Sequence, residues 1–380
     1  MHVGIITPRY PPNTKGGGEV STELLAKKLA DSDRISSVAV MSFDGDGTET
    51  RDGITIQRLG SISNVLTEWQ NLRAYPKLRN RVDEFDLIHA YNMELHPIVG
   101  ALSGRTKPAT VGTLNSYHFF PRSVTMDSPG PLEWLYEMIG HPTTGRLLEY
   151  FVRQMDAHIA ISEAVRDLYV EFGYSSEKIK VVPNMIDPAF EVRRDIGTDD
   201  KDGTTEVLYV GELSVQKGVR FLIDAIAALP SAYRATIVGD GDQRTTLEQQ
   251  VRALGVENRV TFQGQVPYEE VSSKYGLADV FVHPGIWPEP FGRTILEAMQ
   301  AGLPVVCTDI GGPADIVRNP ELRCEPGDHE ALAASIRYAS ENGATIGERN
   351  QRYVENEYSP ATVVSEIIDL YERLLDGERV

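Results

Sequence analysis

The stretch PEPFGRTILEAMQAGLPVV, residues 288–306, carries two glutamates, Glu289 and Glu297, with seven residues between them. Pro288 and Pro290 flank the first, so it lies in a rigid turn where no helix forms. Pro290 and Gly292 shape that turn, and a helix is predicted from about Thr294, so that Glu297 falls within it. An apolar strand, PVVC (304–307), closes the unit. Loop, helix and buried strand in that order are one step of an alternating α/β chain.

The same step recurs in both directions. Short apolar or β-branched runs precede the quoted stretch at 3–6, 38–41, 86–90, 110–113, 157–161 and 179–182. After a break they resume at 207–210, 235–238, 260–262 and 279–283. Uninterrupted apolar strands separated by helix-length amphipathic segments predict parallel sheets covered on both faces. The break, DPAFEVRRDIGTDDKDGTTE (187–206), is polar and without sustained period, and reads as a linker. Two α/β domains in tandem are therefore expected, over 1–187 and 205–360. The last segment starts at Pro360 and sets Val363, Val364, Ile367, Ile368, Tyr371, Leu374 and Leu375 on one stripe of a helix. Residues 119–150 are rich in Pro, aromatic and Met side chains, including Trp134, Tyr136 and Met138. They read either as an ornate loop or as a surface that meets an acceptor or a membrane face.

The 380 residues suit two ordinary domains. A net charge of −18 argues against a nucleic-acid partner, whose phosphates it would repel. Cys307 and Cys324 offer neither a disulfide framework nor a metal quartet, so a reducing, cytoplasmic compartment is expected. No run of about 18 apolar residues predicts a membrane span.

Three strand-to-helix junctions could hold an anion, because helix N-termini offer free amides and a positive dipole. After the first strand, Gly16, Gly17 and Gly18 immediately precede a helix. In the second half Lys217 sits just ahead of a helix beginning near Val219. The third is the opening stretch. There Glu297 has two readings: the glutamate of a Thr294-x-x-Glu297 capping box, or a carboxylate accepting ribose hydroxyls. The local pattern favours the cap. Glu289, locked between prolines ahead of a helix, is better explained by something it must touch.

Together these residues resemble the retaining glycosyltransferases of family 4. The resemblance runs from YPPNTKGGGEVSTELLAKKLA (10–30) through ISEAVRDLYVEFGYSSEKIKVVPNMID (161–187), VGELSVQKG (210–218) and IVGDGDQRTTLE (237–248) to the 260–317 region. It implies the GT-B fold, α/β with two Rossmann-like domains facing an interdomain cleft, and a C-terminal helix (361–380) packed back on the first domain. It implies that Glu289 contacts the donor sugar, that Glu297 grips the ribose of the nucleotide, and that Lys217 binds the diphosphate. The amides of Phe291, Gly292, Arg293 and Thr294 and the Gly16–Gly18 loop would assist. Partners would be a nucleoside-diphosphate sugar as donor and a glycan, lipid-linked or small-molecule acceptor, with no metal and no further cofactor. Asp-x-Asp triplets at 31–33, 44–46, 200–202 and 240–242 carry no weight in so acidic a chain.

Two positions depart from the family pattern. Glu212 stands where relatives often carry an arginine before the lysine, leaving Arg9 or Arg293 as replacements. Asn115 stands where relatives often carry a histidine, with His118 three places on. Asn115 can hydrogen-bond a sugar hydroxyl but cannot act as a base. A nucleotide-sugar 2-epimerase on the same fold, and a non-catalytic nucleotide-sugar sensor suggested by Glu212, are the alternatives. Association with the inner membrane face is a further expectation, opposed by the negative charge.

Overall fold

The computed structural model describes residues 1–13, 17–62, 67–120, 134, 136–190, 192 and 203–378. The chain divides into two compact units, Met1–Met185 together with Pro360–Val380, and Ile186–Ser359. Most of the 187–206 linker and the centre of the 119–150 segment lie outside the described residues.

The first unit is built on β1 (His2–Ile6), β2 (Ser37–Ser42), β3 (Asp46–Arg51), β4 (Ile54–Leu59), β5 (Leu87–Ala90), β6 (Ala109–Leu114), β7 (Ala157–Ala160) and β8 (Ile179–Val181). Their order in the sheet is β3-β4-β2-β1-β5-β6-β7-β8. Neighbours are parallel except β3 and β4, which form a hairpin. Its turn places Asp52 at φ 53° and Gly53 at φ 74°, the left-handed pair that suits the twist of a tight hairpin.

Alternation along the strands divides the core into two. Val38 and Val40 pack with Leu25 and Leu29 of the helix Gly17–Ala30 and with the C-terminal helix Pro360–Leu375. Ala39 and Met41 point to the other face, against Ala74 and Leu78 of the helix Thr67–Arg79 and against Ile98 and Val99. The C-terminal helix buries Val363, Val364, Ile367, Ile368, Leu370 and Tyr371 in that first cluster. Each fully buried aliphatic side chain contributes about 1.5–3 kcal/mol. The Tyr371 hydroxyl also hydrogen-bonds Nδ1 of the buried His89 at 2.6 Å.

The second unit holds β9 (Thr205–Val210), β10 (Tyr233–Val238), β11 (Val260–Gly264), β12 (Val280–His283), β13 (Val305–Thr308) and β14 (Arg323–Cys324). The order is β11-β10-β9-β12-β13-β14, all parallel. Helices Val219–Ala228 and His329–Glu341 pack together on this sheet, and Arg293–Gln300 packs on Gly343–Glu357.

In each sheet the strand order reverses once, at β1/β5 in the first unit and at β9/β12 in the second. Adjacent loops leave such a point in opposite directions, opening a crevice at the carboxyl ends of the strands.

Candidate active site

The second unit brings the loops after β9, β12 and β13 together by removing side chains. Gly218 sits at φ 66°, and a Cβ there would lie 1.9 Å from the Pro284 carbonyl oxygen. Only glycine permits that approach, and the Ile286 amide then donates to the Gln216 carbonyl at 2.9 Å. Behind them Gly311 (φ 66°) lies under Glu289, with a Cβ there only 2.7 Å from the Glu289 carbonyl oxygen. The Gly312 amide donates to that same oxygen at 2.8 Å.

This packing sets Lys217 beside Glu289 across the β9/β12 switch point. Lys217 Nζ lies 2.7 Å from Glu289 Oε2, and His283 Nε2 lies 2.9 Å from the same oxygen. His283 is the last residue of β12 and is buried. Burial would raise the Glu289 carboxyl, but the His283 imidazole and the Lys217 ammonium outweigh it and hold the group well below the usual carboxylate range.

Glu297 is buried on the helix Arg293–Gln300. Tyr275 donates to its Oε2 at 2.9 Å and Tyr268 to its Oε1 at 3.3 Å, while Arg293 lies 3.9 Å from Oε1. Burial raises this carboxyl, and Arg293 and the two phenols only partly oppose it. The capping-box reading fails here. The helix begins at Arg293, its N-cap is Gly292 with no side-chain bond, and Glu297 is engaged by tyrosines in the second turn. A sequence pattern of Thr-x-x-Glu cannot show that the helix starts one residue earlier. The first-turn amides of this helix have no carbonyl four residues back; Ile295 donates to the Gly292 carbonyl at 3.0 Å, and the positive end of the helix dipole faces this loop. Phe291 is buried and its ring stands 6.3 Å from that of Tyr358.

At the β1/β5 switch point the first unit gathers amides and hydroxyls beside one ion cluster, Arg9 lying 2.9 Å from the buried Glu19 and 3.9 Å from Glu94. Asn92 Nδ2 donates to Thr7 Oγ1 at 3.0 Å, and Asn115 Nδ2 donates to the Tyr91 carbonyl at 3.0 Å and to Asn92 Oδ1 at 3.3 Å. Gly17 and Gly18 open the helix after β1, and a Cβ on Gly18 would lie 3.0 Å from Asn92 Oδ1. Gly16 lies outside the described residues. His118 Nε2 pairs with the Thr67 hydroxyl at 2.8 Å.

Of the two arginines that could replace a cation at position 212, Arg9 is bound to the buried Glu19 at 2.9 Å and so is occupied. Arg293 flanks Glu297. The Glu212 side chain is exposed, and its carbonyl accepts from the Tyr209 hydroxyl at 2.8 Å. Sequence reading overlooked His283, Tyr268, Tyr275 and Asn92. His283 and Asn92 stand at or just beyond strand ends at a switch point, which is a legible signal. The tyrosines come from another helix, Tyr268–Leu277, and carry none. Among the described residues no cluster of three His, Cys, Asp or Glu side chains forms a metal-binding group.

Residues 193–359 match the family Glycosyl transferases group 1, and residues 15–190 match Glycosyltransferase Family 4. An uncharacterized glycosyltransferase of Methanocaldococcus jannaschii is 27% identical over 98% of both chains. Glycogen synthase of Mycobacterium tuberculosis is 34% identical over 60% of this chain and 57% of its own length. Among solved structures, the Anabaena protein HepE in complex with UDP-glucose is 23% identical, with a TM-score of 0.75 over 98% of this chain and 99% of its own. The paired parallel sheets and these matches along both halves agree: the chain is a glycosyltransferase of the family 4 type, with the GT-B fold.

Proposed function

We propose that this enzyme is a retaining, metal-independent transferase that moves a hexose from a nucleoside-diphosphate sugar to a glycan, lipid-linked or small-molecule acceptor. The observation that carries the reading is the β9/β12 switch point. It places an ammonium, a helix N-terminus and two unlike carboxylates within one unit. Departure of the sugar leaves charge on a diphosphate, and Lys217 with the first-turn amides of the helix Arg293–Gln300 offers fixed positive charge to it. Glu297, already accepting from two phenols, has lone pairs left for ribose hydroxyls. Glu289 keeps Oε1 for the sugar, since the Lys217 ammonium and the His283 imidazole both use Oε2. Retention is the stereochemistry that the family 4 resemblance implies, with the acceptor attacking from the face the diphosphate leaves. What supports the hexose is that the relatives include glycogen synthase and a 2-deoxystreptamine glucosyltransferase.

The test is a thermal-shift panel of nucleotide sugars starting with UDP-glucose, followed by transfer to sugar and lipid-linked acceptors in EDTA. NMR of the product should show the donor's anomeric configuration. An inverted product, an epimerised free donor, or activity lost to EDTA overturns the corresponding part.

We place the reaction in the cytoplasm, with contact to the membrane face through the exposed Trp134, Met138 and Ile139. No described helix is long and apolar enough to cross a membrane. Flotation with liposomes at low and high salt tests the contact, and protein wholly in the soluble fraction at both refutes it.

A further inference from the structure

The proposed donor site contains a conflict. Lys217 is held by Glu289 at 2.7 Å, yet the same ammonium is the nearest side-chain cation in the loop assigned to the diphosphate. Drawing it toward a diphosphate weakens its hold on Glu289 Oε2. A carboxylate that then swung free would lose its aim on the sugar at the moment the donor arrives.

His283 addresses this. Its imidazole reaches the same Oε2 at 2.9 Å from the opposite element, the end of β12, whereas Lys217 comes from the loop after β9. The ring cannot follow a ligand. It is buried at 4% exposure, its strand is registered against Cys307 of β13, and a Cβ on Gly285 would already lie 3.3 Å from its Cε1. Its Nδ1 is buried with no hydrogen-bond partner, so the ring's one polar contact is the carboxylate. A buried ring nitrogen left unsatisfied costs stability, which argues that the residue is kept for what Nε2 does.

We propose that His283 is a positioning residue for transfer: it anchors Glu289 Oε2 while Lys217 passes to the donor diphosphate, leaving Oε1 directed at the sugar. The proposal rests on the donor-site reading above. It makes His283 act on turnover through Glu289, not on nucleotide binding.

The test compares His283→Gln, whose amide nitrogen reaches about as far as Nε2, with His283→Asn, whose amide does not. The donor is the nucleotide sugar that wild type turns over, and the binding probe is its free nucleoside diphosphate. We expect His283→Asn to lower kcat by roughly ten- to a hundredfold, with the nucleoside diphosphate Kd within about twofold of wild type. His283→Gln should recover most of the lost kcat. A double-mutant cycle with Lys217→Gln should be non-additive in kcat, because both residues hold one oxygen. The proposal is overturned if His283→Asn keeps wild-type kcat, if Asn and Gln are equally impaired, or if nucleoside diphosphate affinity falls as much as kcat. Circular dichroism and thermal melting of both variants separate loss of fold from loss of aim, and equal Tm values with unequal kcat sustain the assignment. Should wild type bind no nucleoside diphosphate at all, the donor-site reading fails first, before His283 is at issue.

Discussion

At the β1/β5 switch point of the first unit the polar side chains meet mostly as amides and hydroxyls, Asn92 on Thr7 and Asn115 on Asn92, beside the ion pair of Arg9 and Glu19. At the β9/β12 switch point of the second they meet as ions and phenols, with Glu289 between Lys217 and His283 and Glu297 under Tyr275, Tyr268 and Arg293. The same topological device thus carries two chemistries. A carboxylate or ammonium removed from water is costly unless paired, so Glu19 is paired with Arg9 in the first unit and Glu289 with Lys217 in the second before any ligand arrives. Neutral hydrogen bonds need no such pairing, and Asn115 retains an amide oxygen for a hydroxyl. Under the proposed function, the second unit would hold the substrate part that changes charge, and the uncharged amide of Asn115 would meet one that does not.

The difference should appear most strongly in acid. In the first unit burial lowers His89, His96 and His158 to about 3, with smaller contributions from neighbouring charges. Their folded pKa lies below the unfolded value, so the unfolded chain takes up protons first. Stability is intact above pH 6.5 and is lost as pH falls from there toward 3. At pH 5 each histidine costs about 2 kcal/mol. Glu289 in the second unit is also lowered, from an ordinary carboxylate value, so its contribution persists down to pH 4.5 and fades only below. Calorimetry between pH 7 and 5 should therefore show a transition of the first unit falling while the second holds. Two transitions moving together would break the comparison.

Next in size is Glu289→Gln, which should lower turnover about a hundredfold or more while the free nucleoside diphosphate binds as well as before or more tightly. The tightening is expected because Lys217 loses its carboxylate competitor. Kinetics beside calorimetry check both, and weaker nucleoside diphosphate binding would contradict the division of roles.

Gly218→Ala probes the packing beneath the charges. Its Cβ would collide with the Pro284 carbonyl in a left-handed conformation, costing about 2–3 kcal/mol. Thermal melting should report a lower Tm for the second unit only, and nucleoside diphosphate affinity should fall with it. An unchanged Tm would mean the loops after β9 and β12 are not held together there.

The smallest effect is on Glu297. Glu297→Gln should weaken nucleoside diphosphate binding about tenfold, through one charge-assisted hydrogen bond, with little change in Tm. Asn115→Ala in the first unit should leave that affinity alone. Equal losses from the two would erase the distinction between the switch points.

Eleven apolar runs in the sequence correspond to eleven of the strands, because parallel strands buried on both faces are continuous hydrophobic segments. The strands that sequence reading did not register are β3, β4 and β14. Strand β3, DGTETR, is exposed and has no apolar side chain, so only its pairing with β4 makes it a strand. The Asp52-Gly53 pair between them is a hairpin-turn signal legible in the sequence. Glu289, Lys217 and the glycines ahead of the first helix stood out because proline, glycine and helix starts leave local marks. Their partners left none. His283 meets Glu289 across the five residues 284–288, and Tyr275 meets Glu297 from a neighbouring helix 22 residues away. Sequence alone decided that there are two parallel α/β sheets and which loops carry charge, since burial period and turn chemistry are local. Which oxygen of Glu289 is occupied, and that Glu297 is held by phenols and caps no helix, only tertiary packing decided, because those contacts depend on loops brought together by Gly218 and Gly311.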